Sequence, residues 1–208
     1  MTKVIQADLP MRYDADHKQK TRERVLTEAA RALRSDGPHR LGVAEVMSRA
    51  GLTHGGFYAH FKSKDHLLVA ATEAAFEDAR TMFEAVTGGL EPRAALAAYI
   101  DAYLSMRHLA GRDRGCPLPA LAGDLPRMGV EPRRSYAAGV RRLTLRLQGL
   151  LEDAGAADAP GTARSVVAEL VGALSLARAT PDEEDAARML EASRAALHRR
   201  LGLAANGP

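Results

Sequence analysis

The sequence predicts an all-α fold of about nine helices: an N-terminal three-helix helix-turn-helix unit joined to a larger helical domain. Three observations carry this. Ala, Leu, Arg and Glu, all strong helix formers, are heavily used in the 208 residues. Apolar side chains recur at helical spacing, and the period-2 alternation of strands is absent. No internal repeat points to a solenoid instead.

Residues 1–16, with Pro10 among mixed polar groups, read as a flexible arm. A helix follows over 17–35. Val25, Ala29 and Leu33 share one stripe with Leu26 and Ala30 beside them, and Asp36-Gly37-Pro38 stops it. Short helices are predicted over 43–50, closed by Gly51, and over 54–60, with Thr53 placed to cap. Ser63 caps the next helix and Asp65 lies in its first turn. Leu67, Ala71, Ala75, Ala79, Phe83 and Val86 carry that helix to Gly88-Gly89. Glu91-Pro92 opens a helix to about His108, with Leu96, Ile100, Tyr103 and Leu104 on one face. The stretch 110–119 reads as loop, followed by a short helix over 118–124. Pro132 opens a helix to Asp153, Ala156–Gly161 breaks the chain, and helices over 162–179 and 182–202 close it. The expected organisation is an arm (1–16), a helix-turn-helix domain (17–68) and a second domain (69–208).

Composition narrows the function classes. One cysteine excludes an internal disulfide framework, and no Cys/His set has zinc spacing, so neither metal nor cofactor is expected. No apolar run is long enough for a membrane span, and the first residues lack the apolar stretch of a signal peptide, so a cytoplasmic protein is expected. An enzyme is not expected. There is no Ser/His/Asp spacing, and Gly55-Gly56 follows no strand and so forms no phosphate loop. A helical interaction module remains as the other non-enzymatic class.

The net charge of +3 is uninformative until it is located. Residues 17–64 hold ten Lys and Arg against four Asp and Glu, a net of +6, which leaves −3 for the rest. Five of the seven histidines fall in 17–66. A basic, His-rich patch beside a tight helix-turn-helix is the footprint expected of a duplex-binding surface.

The informative segment is VAEVMSRAGLTHGGFYAHFKSK, residues 43–64. Val46 and Ala50 give a first helix its inner face, Gly51 suits the turn, Leu52 plugs it, and Phe57 packs the second helix back. Phe57 and Phe61 read as core rather than base-stacking groups, leaving Arg49, His54, Tyr58, His60 and Lys62 for the outside.

Residues 21–68 resemble the DNA-binding domain of the TetR family of bacterial transcriptional regulators. Ala50-Gly51, Tyr58, His60, Phe61, Ser63 and Lys64 match the family pattern one by one. The resemblance implies that Thr53, His54, Gly55 and Gly56 lie at the DNA-facing start of the recognition helix. It implies that Tyr58 and His60 touch backbone or base edges and that Lys64 holds a phosphate. Glycines at 55 and 56 let the backbone approach DNA and offer no base-reading side chain, which shifts discrimination to His54, Tyr58 and Arg49. His60 could instead pack at the domain seam, and Lys62 could be a solvated charge. Leu41-Gly42 stand where the family often has a Thr/Ser pair that caps the second helix and touches phosphate, a departure from the pattern.

The same resemblance implies that the second domain binds a small-molecule inducer and dimerises, so that a homodimer reads a palindromic operator and acts as a repressor. Phe83, Tyr99, Tyr103, Met106, Met128 and Tyr136 are the larger groups of its middle helices, each able to line a pocket or to pack in core. Residues 166–177 are apolar almost all round and need cover on more than one side. Val167, Leu170, Val171 and Leu174, with Met189, Leu190, Leu197 and Leu201, are therefore the dimer candidates. Cys116, preceding Pro117 and close to Arg112 and Arg114, has two readings: a small buried residue, or an N-cap thiol with a lowered pKa that senses electrophiles.

Overall fold

The computed structural model describes the backbone of residues 9–203 and side chains from residue 16 to 203. Within them every regular element is a helix, and the expectations for residues 1–8 lie outside. The first helix, α1, spans Leu9–Asp36, so it opens eight residues before the expected start, with Pro10 in its first turn where a missing N–H costs nothing. It is followed by α2 (Val43–Arg49), a 3-10 helix His54–Ala59, and α3 (Lys64–Thr87). Then come α4 (Pro92–Tyr103), α5 (Met106–Ala110), α6 (Pro117–Leu121), a 3-10 turn Leu125–Arg127, and α7 (Val130–Asp153). Helices α8 (Ala159–Ala179) and α9 (Glu183–Leu201) close the fold. No helix among the described residues is long and apolar enough to cross a membrane.

Two departures from the sequence reading have local causes. The helix expected to run to His108 breaks at Leu104, because Ser105 caps a new one through the His108 N–H and the His108 imidazole takes the Tyr103 carbonyl at 2.8 Å. The segment after Thr53 is 3-10 rather than α-helical. Two consecutive glycines weaken the wider helix there, and a short piece tolerates the tighter winding.

Two hydrophobic clusters organise the chain. One joins α1, α2, the 3-10 helix and the first half of α3 around Val25, Leu33, Met47, Phe57, Phe61 and Leu67. Leu121 and Leu125, far along the sequence, belong to this same cluster. The other cluster is built from the rest of α3 with α4 and α7 to α9. Long α3 contributes to both, and Tyr136 on α7 packs against both.

Candidate nucleic-acid interface and ligand cavity

The turn between α2 and the 3-10 helix is closed by two backbone bonds, Gly51 N–H to Ser48 O at 2.9 Å and Leu52 N–H to Met47 O at 2.9 Å. This is a Schellman end, and it requires a left-handed residue at its hinge; Gly51 has φ +72°. Arg24 of α1 donates to the Ala50 carbonyl and fixes the turn against the first helix. Beyond it, Phe57 and Phe61 are buried, with ring centroids 5.6 Å apart. Arg22 lies over the Phe61 ring at 5.2 Å.

With the aromatic pair turned inward, the opposite side chains face solvent. Tyr58 is 73% exposed and makes only an edge contact with Phe57. Thr53, His54, Lys62 and Lys64 are exposed, and none of their side chains is hydrogen-bonded or ion-paired among the described residues. Thr53 stands at the N-cap of the 3-10 helix without using its hydroxyl to cap it. Nothing in the chain lies within 4 Å of a Cβ added at Gly55, and one at Gly56 would make only ordinary contact with Met47 at 3.6 Å. Internal packing therefore does not demand glycine at either position. Arg49 is exposed but paired with Glu45 at 2.6 Å. His60 is half-buried, and its pKa is lowered by burial and then by Lys18 and Arg22. Lys64 opens α3, capped by Ser63 through the His66 N–H at 3.1 Å. At α2 the N-cap is Gly42, with no side-chain cap, as the Leu41-Gly42 departure implies.

The tetR family profile of bacterial regulatory proteins matches residues 25–71, which contain α2, the turn, the 3-10 helix and the start of α3. An uncharacterized HTH-type transcriptional regulator of Mycobacterium tuberculosis is 31% identical over 169 residues, spanning 77% of this chain and 86% of that protein. The chain belongs to the TetR family. A TetR transcriptional regulator from Chloroflexus aurantiacus has a TM-score of 0.77 at 26% identity, over 90% of this chain and 96% of that one. Reduced Escherichia coli NemR shares the fold, with a TM-score of 0.76 at 21% identity over 86% of this chain and 96% of its own. As a TetR-family member the protein is a DNA-binding transcriptional regulator and not an enzyme.

In the larger hydrophobic cluster of this TetR-family chain, Phe83, Tyr99, Tyr103 and Cys116 are buried together. Ring centroids of Phe83 and Tyr99 lie 4.6 Å apart, and those of Tyr99 and Tyr103 5.8 Å. Tyr136 donates to the Leu118 carbonyl at 3.1 Å. Met106 and Met128 do not join them: Met106 is exposed, and Met128 packs against the N-terminal cluster.

Cys116 is the N-cap of α6, but its environment differs from the expected one. It is buried, and burial pushes its thiol pKa up. The cations acting on it are Arg178 and Arg34. Arg112 and Arg114 are engaged elsewhere, with the Arg178 carbonyl and Asp113 respectively. His108 ties the region together: its Nε2 accepts from the Cys116 N–H at 3.0 Å, and its Nδ1–H donates to the Tyr103 carbonyl. A Cβ at Gly115 would sit 2.6 Å from His108 Nε2, so the loop needs glycine to pass over that ring.

The dimer candidates divide. Val167, Leu170, Leu174, Leu190 and Leu197 lie in the chain's own core, whereas Val171, Met189 and Leu201 are half-buried at its edge. On the outer side of α8, Leu176 is 60% exposed, beside exposed Ala168 and Ala179. Sequence patterning does not single out Arg34, His108, Arg142 or Arg146. For Arg34 a signal exists, since it continues the Leu26–Ala30 line one turn further along an otherwise apolar helix face.

Proposed function

We propose that this regulator is a cytoplasmic homodimeric repressor that leaves a palindromic operator when a small molecule enters its second domain. The carrying observation is the exposed set Thr53, His54, Tyr58, Lys62 and Lys64, which has no internal hydrogen bonds to satisfy and sits beside a basic first helix. Such groups are suited to phosphate and base-edge contacts. Bare Gly55, uncrowded from within, supports close backbone approach to the groove. His54 and Tyr58 then carry direct readout, with Lys64, Lys62, Arg49 and His60 at its margins.

Dimerisation is supported by the outer face of α8, where Leu176, Val171 and Gly172 offer apolar and small groups for a partner helix. A two-fold axis there presents two recognition segments to DNA half-sites about one turn apart. The inducer is read as non-covalent, because burial raises the Cys116 thiol and so disfavours the reactive thiolate. Repression is relieved only if the inducer prefers the arrangement that does not bind DNA.

The test is a salt titration of binding to duplex DNA from upstream of the protein's own gene. Affinity that falls linearly on a log–log plot, with a slope of several charges, supports the reading; binding indifferent to salt overturns it.

A further inference from the structure

A groove of about 480 Å3 runs between α1, α3 and α7. Its walls carry Arg22, Arg80, Arg142 and Arg146 against two carboxylates, Glu73 and Glu77. Next to it is a narrow gap of about 20 Å3, reaching Phe83, Tyr99, Cys116 and Leu143, with no acidic side chain in its wall. Phe76, Arg80, Arg142 and Arg146 line both spaces.

The four guanidiniums differ in what already holds them. Arg80 is neutralised by Glu77 and Glu84, and Arg22 lies over Phe61 and lines the groove but not the gap. Arg142 and Arg146, one helical turn apart on α7, are neither hydrogen-bonded nor ion-paired to any carboxylate among the described residues. Arg142 lies over the Phe76 ring at 5.6 Å, while Arg146 is half-buried and lines the narrow gap together with Tyr99. Two guanidiniums with no hydrogen-bonded or ion-paired carboxylate, on which Glu77 acts only at longer range, stand above an aromatic gap with no acidic side chain in its wall, an arrangement that an anion with an apolar body completes.

We infer that the inducer is an organic anion, its acid group held by Arg142 and Arg146 and its apolar body admitted among Phe83, Tyr99 and Leu143 as Phe76 turns aside. This rests on the reading of the second domain as an inducer domain and names the chemistry of that site. The groove lies within the size range of small-molecule sites, which fits an acid of one or two rings, and the gap as it stands is smaller than one ring.

The probes are 8-anilinonaphthalene-1-sulfonate and N-phenyl-1-naphthylamine, which differ only in the sulfonate. Fluorescence titrations compare the wild type, the Arg142→Gln/Arg146→Gln double variant, Arg146→Gln alone, and Arg141→Gln as an exposed control on the same helix. Circular dichroism checks that each variant is folded. The expected result is saturable sulfonate binding that weakens about tenfold or more in the double variant, less in Arg146→Gln, and not in the control. Binding of the uncharged probe is expected to be unchanged throughout. Sulfonate binding that is absent from the wild type, unaffected by the arginine variants, or weakened in step with the neutral probe overturns the assignment. Duplex DNA binding is measured on the same samples. If it is intact while the sulfonate fails, the ligand class alone is wrong; if the wild type binds no DNA, the regulator reading itself falls.

Discussion

The guanidinium Nε of Arg34 and the main-chain carbonyl of Asp113 meet at 2.7 Å. Arg34 belongs to the first helix of the DNA-reading unit, and Asp113 to the loop that leads into Cys116 and α6. The same guanidinium donates two bonds of 3.0 Å to Asp78 on α3 and one of 3.5 Å to the Ala75 carbonyl. Arg34 thus ties the Asp113 loop to α1 and α3 by hydrogen bonds, alongside the apolar packing of Leu121 and Leu125 on the same cluster, a contact of the kind through which two sites can be coupled. Replacing Arg34, which is 5% exposed, by Ala strands the Asp113 carbonyl, while the Ala75 carbonyl keeps its helical partner and Asp78 regains water. The expected loss is about 2 kcal/mol in urea unfolding. A change within about 0.5 kcal/mol would show that the cluster contributes no more than an ordinary surface group.

His108 makes stability depend on pH. It is 9% exposed, and its pKa is lowered to about 4, first by burial and then by Arg178, against the opposing pull of the Tyr103 carbonyl. The unfolded chain takes up this proton near pH 6.5, whereas the native protein resists until about pH 4. The contribution is thus complete above pH 6.5 and is lost as pH falls toward 4, by about 3 kcal/mol. In His108→Gln that component of the slope disappears. Parallel stability curves for the two proteins between pH 4 and 6.5 would refute this account.

Gly139 on α7 gives up its side chain to Phe76. An added Cβ there would lie 2.1 Å from Phe76 Cζ, far inside contact distance. Gly139→Ala is expected to lower stability by about 1–3 kcal/mol through overpacking. Adding Phe76→Leu should recover part of that loss, since it removes the atoms in the way. Simple additivity of the two changes in a double-mutant cycle would mean that the two positions do not compete for space.

Tyr58→Phe and Lys64→Gln separate DNA contact from folding. Both positions are exposed without internal polar partners, so melting temperatures should hold within a degree or two. Operator affinity should fall by about 1 kcal/mol for the hydroxyl. For Lys64→Gln the salt slope should drop by about one charge. Unchanged affinity in both would remove these residues from the interface.

What was legible in the sequence is what local chemistry decides. The apolar register of residues 25–33, the glycine hinge at Gly51, the inward Phe57 and Phe61 and the Ser63 cap all follow from neighbours a few positions away. The all-helical class and most element boundaries follow for the same reason. The break after Tyr103 was not legible, because it depends on the His108 imidazole turning back to a carbonyl. The 3-10 winding over His54–Ala59 sets glycine entropy against helix continuity, a contest that spacing alone does not decide. Leu170, Leu174, Leu190 and Leu197 illustrate a different limit. Apolar periodicity says that a side chain is covered, not whether its own chain or a second copy covers it. Arg34 continues an apolar helix face in sequence, but its partners Asp78 and Asp113 come from distant segments, and Arg142 and Arg146 read as surface charges because the aromatic groups beside them lie on other helices.

The central claim, that a two-fold dimer of this chain reads duplex DNA through the segment after Gly51, is tested most directly by selection from a pool of random duplexes at moderate salt. The account predicts enrichment of an inverted repeat whose half-sites are centred about one helical turn apart, with enrichment lost in Tyr58→Ala. Enrichment of an asymmetric site, or of no site at all, would contradict it.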